Sequence, residues 1–90
     1  MHNFSQLQIW QEGMSVAKAV YLVLNNFPSS EKFGLISQLS RCSISVPSNI
    51  AEGSLFELET QLQLSIDLNF LNQITSEKLM LDIIQLQKKI

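Results

Sequence analysis

Residues 34–53 read GLISQLSRCSISVPSNIAEG, and the fold of the chain turns on how that stretch is read. Leu35, Leu39, Cys42, Val46 and Ile50 recur at spacings of four, three, four and four, which sets them along one face of an α-helix. Gln38, Arg41, Ser45, Asn49 and Glu52 recur at three, four, four and three, and make a second stripe roughly 100° away. Exposed helix surface is usually rich in Lys and Glu. These groups are short, mixed and able to bond one another. The stripe is therefore expected to be a polar network at the edge of a helical core, fixing helix register, or else a boundary between subunits. Arg41 is the only arginine, and its planar fork suits a carboxylate, Glu52 of a neighbouring copy or Glu59. A buried, paired Arg41 would cost about 3–5 kcal/mol to break from one side.

Three further helical segments flank this one. Residues 5–26 place Leu7, Trp10, Met14, Ala17, Tyr21 and Leu24 three or four apart. Pro28 ends that helix, because the residue before a proline is pushed out of the α region. Ser29 or Ser30 can cap the second helix with Glu31 in its first turn, or Gly34 marks the true start. Pro47 removes one backbone donor and clashes with the carbonyl of Ser43, so a kink is expected there. Gly53 suits the position just after a helix that ends at Glu52. Ser54-Leu55-Phe56-Glu57 then has the form of a capping box that opens a third helix. Its stripe is Leu55, Leu58, Leu62, Ile66 and Asn69, with Leu64, Leu68 and Leu71 alongside. Residues 72–75 break it, and a last helix from Ser76 carries Leu79, Ile83, Leu86 and Ile90 at heptad spacing. The expectation is one all-α domain over residues 1–90, an antiparallel up-down four-helix bundle with short connections.

Composition narrows the function. Charged residues make up 16% of the chain, against about 25% in an average protein. So few charges leave much of a lone monomer apolar or neutral, which favours covering a second apolar face with another copy of the chain. The alternative is a mildly apolar monomer. A net charge of −2 with only six Lys and Arg opposes a general nucleic-acid binder. One cysteine excludes an internal disulfide framework and fits a reducing cytoplasm. The start MHNFSQLQ has no secretory pattern, and the longest apolar run, residues 19–24, is too short to cross a bilayer.

No catalytic, cofactor or metal constellation emerges. A di-iron bundle needs Glu-x-x-His pairs, and the only histidine is His2. Cys42 has no histidine base and sits in the apolar stripe, so it reads as a small core residue. Glu57 and Glu59 point to different faces of their helix and do not form an acid–base pair. Trp10, Tyr21 and Phe27 can be read as base-stacking aromatics, but their spacing fits core packing better.

The order Leu7, Trp10, Tyr21, Phe27-Pro28, Gly34-Leu35, Gln38, Arg41 and then Ser45-Val46-Pro47-Ser48-Asn49-Ile50-Ala51-Glu52-Gly53 resembles the bacterial four-helix bundle proteins encoded in intervening sequences of 23S ribosomal RNA genes. Ser54-Leu55, Glu57-Leu58-Glu59-Thr60-Gln61-Leu62 and the helix from Ser76 extend the likeness. One departure is large. In the family a polar, often basic turn and further helix follow the residues that resemble 50–53, whereas here Gly53 runs straight into Ser54. Roughly twenty residues, about 30 Å of helix, have no counterpart. Either this is a genuine deletion, or the junction joins two parts of a longer family sequence. In the second case Ser54 lies inside a long third helix and the capping box is a product of the junction.

The resemblance implies a left-handed bundle that assembles as a homopentamer, has no known catalytic activity and acts as a structural or binding accessory protein. Related bundle proteins serve diversity-generating retroelements, where a basic pentamer holds nucleic acid and a reverse transcriptase; an acidic chain inherits that role poorly. The rival expectation is direct RNA binding, with the pentamer summing weak patches around Lys18, Lys32, Arg41, Lys88 and Lys89.

Overall fold

Leucine and isoleucine at helical spacing give four helices, and no strand, among the residues that the computed structural model describes, 4–48 and 52–90, with side chains at 6–47 and 53–90. They are α1 (Phe4–Val23), α2 (Leu35–Ser48), α3 (Glu52–Asp67) and α4 (Gln73–Lys88). Two 3-10 turns, Leu24–Asn26 and Ser29–Glu31, flank Phe27-Pro28 and carry the chain from α1 to α2. Helix α1 packs on α2, α2 on α3, α3 on α4, and α4 closes the ring against α1. The polar ties between helices fix the direction of α4. Gln87 Nε2 donates to Glu59 Oε1 at 3.0 Å, and Lys89 Nζ pairs with Glu12 Oε1 at 2.6 Å. The end of α4 therefore lies beside the first halves of both α3 and α1, which is the antiparallel up-down arrangement.

The core is built as the α2 pattern requires. Leu39, Cys42 and Val46 are buried, with Leu35 half-buried. They meet Val16 and Val20 of α1, Leu55, Leu58 and Leu62 of α3, and Leu79, Ile83 and Leu86 of α4. Phe27 and Phe70 seal one end, their ring centroids 5.9 Å apart in a tilted pair. Ser43 and Ser65 are also buried, and their hydroxyls return to the backbone of their own helices, donating to Ser40 O and Gln61 O. Such small groups let neighbouring helices approach without leaving an unsatisfied donor. Pro47 stands in the last turn of α2, where it forgoes one ladder bond, to the carbonyl of Ser43.

At four places the helix ends settle a choice that the sequence left open or differ from the expectation, each for a local reason. Helix α2 begins at Leu35, so of the two starts considered it is Gly34 that precedes the helix. Gly34 O accepts the first ladder bond from Gln38, and the Glu31 carboxylate accepts from Leu35 N at 3.4 Å. Asn69 is not on the α3 stripe. It ends the helix in the left-handed region, φ 64°, with Phe70 N donating to Ser65 O and Asn69 N to Ile66 O. That is the bonding of a Schellman stop, with asparagine in place of the usual glycine. Helix α4 starts at Gln73 and not at Ser76, because Asn72 is its cap: Asn72 Oδ1 accepts from Ile74 N at 2.8 Å and Thr75 N at 3.3 Å.

The fourth place is the junction: Gly53 and Ser54 both lie within α3, so Gly53 does not follow a helix end and Ser54 does not cap one, in line with the reading that puts Ser54 inside the third helix. Gly53 has no positive φ, and a Cβ added there would meet nothing within 4 Å. A glycine in a helix that uses none of its freedom only raises the entropy of the unfolded chain. Gly53→Ala is expected to stabilise the fold by about 0.4–1 kcal/mol, measured by urea denaturation.

Candidate functional site

Helix α1 carries two apolar stripes, and the bundle takes only one. Gly13, Val16 and Val20 are buried, and Ile9, Ala19 and Val23 pack beside them. The other stripe, Leu7, Trp10, Met14, Ala17 and Tyr21, is turned about 120° around the helix. It is the stripe that the spacing singled out, and it is not the core: Leu7, Trp10 and Tyr21 remain 45–48% exposed. Core packing therefore accounts for Phe27 but not for Trp10 or Tyr21. Further along the same helix, Met14, Ala17, Lys18, Tyr21, Leu22 and Asn25 line a shallow groove of about 600 Å³.

Lys89 reaches Glu12, so α4 ends level with the third turn of α1. Before Gly13, Ile9 is half-buried against the core, while Leu7 and Trp10 stay about half exposed beside it.

A second apolar area lies across the bundle. Phe56 and Leu64 stand on the outward side of α3, opposite its buried Leu55, Leu58 and Leu62, and Leu68 follows just past its end. Phe33 is almost wholly exposed, with Lys32 Nζ 5.7 Å from its ring centre.

The polar stripe of α2 separates into parts. Gln38 and Arg41 are exposed, and no ion pair of Arg41 is present among the described residues. Ser45 donates to Cys42 O at 2.7 Å and lies 3.2 Å from Ser54 Oγ, tying α2 to α3. Glu59 is engaged by Gln87. Asn49 and the side chain of Glu52 lie outside the described residues, as do His2 and Ile50. Within the single chain Arg41 is thus neither buried nor joined to Glu59.

The cations are dispersed. Lys18 is on the outer side of α1, Lys32 follows the turn that leads to α2, and Lys88 and Lys89 stand at the far end of α4, Lys89 already bound to Glu12. They do not make one patch. No group of three His, Cys, Asp or Glu suited to a metal occurs among the described residues. No helix of the described residues is long and apolar enough to span a membrane.

The 23S rRNA-intervening sequence protein family model matches residues 5–55. The chain belongs to this family. The match spans α1, α2 and the first residues of α3, and it ends just beyond the Gly53-Ser54 junction. No curated protein matches the chain.

Cys42 sits where α2 meets α3. Its Sγ donates to Ser54 O at 3.1 Å. Burial, helped by the Glu57 carboxylate, holds the thiol above its ordinary value of 9.0. The folded state therefore favours the neutral thiol. That preference is fully present below the unfolded pKa and is lost as pH rises past 9 through the folded value. Denaturation midpoints of the wild type are expected to fall as pH rises above the ordinary thiol value of 9.0, and the Cys42→Ala variant should lose that alkaline component.

Proposed function

We propose that this chain is a non-enzymatic scaffold that works by assembling with copies of itself, as a homopentamer, in the bacterial cytoplasm. One observation carries the reading: a folded single chain leaves Leu7, Trp10 and Tyr21 of α1 about half exposed along one stripe, with Met14 and Ala17 partly buried between them. Burying apolar surface yields roughly 25 cal/mol per Å², so a continuous stripe of this kind is a strong drive to associate. Its neutrality matters as much as its hydropathy. Each copy carries a net −2, so an uncharged stripe lets copies approach without adding a further like charge at the contact. Gln38 and Arg41, exposed on α2, offer polar groups for a contact with another copy. Family membership supports an accessory role linked to ribosomal RNA genes.

Sedimentation of the purified chain tests the assembly. A concentration-dependent rise in mass above 10.2 kDa is expected, accompanied by a blue shift of the fluorescence of Trp10, the only tryptophan. A well-folded single subunit at high concentration would refute the proposal.

Direct RNA binding is the competing activity. The separation of Lys18 and Lys32 from Lys88 and Lys89, and the pairing of Lys89 with Glu12, weigh against it. Filter binding to structured RNA is expected to show no salt-sensitive retention at micromolar protein. Retention at low salt that disappears at moderate salt would favour the RNA reading instead.

A further inference from the structure

We propose that the copies join head to tail, the α1 stripe around Trp10 of one copy packing on the outward face of α3, around Phe56 and Leu64, of the next. This rests on the self-assembly reading above and specifies its interface.

Placement is the first reason. In the ring α1-α2-α3-α4 the helices α1 and α3 are diagonal, so their outward apolar areas look to opposite sides. A two-fold pair built on either area covers it twice and leaves the other bare. A heterologous contact consumes one of each per interface and repeats.

Charge is the second reason, and it separates the alternatives. Helix α3 carries Glu52, Glu57, Glu59 and Asp67 and no Lys or Arg. Glu59 is engaged by Gln87, while Glu57 and Asp67 are exposed beside Phe56 and Leu64. Asp67 also accepts a hydrogen bond from Gln63 Nε2, which leaves its charge in place. On α1 the single acid, Glu12, is neutralised by Lys89, and the groove beside Tyr21 carries Lys18 as its only charge. Two α1 faces would set Lys18 against Lys18, and two α3 faces would set acids against acids. Only α1 on α3 joins opposite signs across the apolar contact.

The angle between the areas bears on closure. Glu12, Ser15 and Val16 share a small groove with Asp82 and Gln85, which marks the α4 side of α1. The Trp10 stripe lies on the other flank, leaning toward α2. A contact repeated from such a flank closes into a ring or runs on as a filament according to the rotation between copies.

Two variants read this directly. Trp10→Glu spoils the α1 face and Leu64→Glu spoils the α3 face, and both residues are largely exposed in the single chain, so circular dichroism should show wild-type helix content. Each variant alone is expected to lose the assembly. An equimolar mixture should form a one-to-one heterodimer in native mass spectrometry, because the intact α1 face of one variant meets the intact α3 face of the other. If Leu64→Glu alone assembles like the wild type, the contact is α1 on α1 and the proposal fails. If Trp10→Glu alone assembles, α1 is not in the interface and it fails as well. A mixture that stays monomeric also overturns it. A wild type that is itself monomeric would defeat the assembly reading, a separate and distinguishable failure.

Discussion

An α-helix has one axis and the bundle offers it one core, so α1 can bury only one of its two apolar faces. Everything distinctive about this chain follows from that limit. Gly13, Val16 and Val20 go inward. The larger side chains, Leu7, Trp10 and Tyr21, stay on the flank, about half exposed. The choice has a packing logic. Small and β-branched residues let α1 sit close to α2, while an indole and a phenol would hold the helices apart or leave voids around them.

The core is complete where all four helices overlap, from the Phe27–Phe70 pair at one end to the level of Glu12 at the other, with Ile9 packed beside it one turn further on. The polar ties sit at that boundary: Lys89 to Glu12, Gln87 to Glu59, and Cys42 and Ser45 to Ser54. Their individual energies are modest, since the Lys89–Glu12 pair is partly exposed and screened. They fix register more than they add stability.

The polar stripe of α2 illustrates how far a pattern can carry chemistry. Its spacing correctly marks a face distinct from the core, with Gln38 and Arg41 on it. Spacing alone does not say whether such a face closes on its own chain, on another copy or on water. Ser45 found Ser54, Glu59 found Gln87, and Arg41 remained outside. Pairing depends on which helix lies alongside and at what height, and neither is a property of one helix.

By itself the sequence determined the number and order of the helices, the family, and most of the buried faces of α2, α3 and α4, because these depend on local periodicity and on a specific block around Pro47. It did not determine that Ile90 falls past the end of α4 and stays exposed, nor the helix ends at Asn69 and Asn72. Several residues there are competent caps, and the one used is fixed by how far each helix must run to meet its neighbour. Nor did it determine which stripe of α1 faces inward. Both have the period of a helix and both are apolar, so only the close approach of α2 and α4, which favours the slimmer side chains, decided between them.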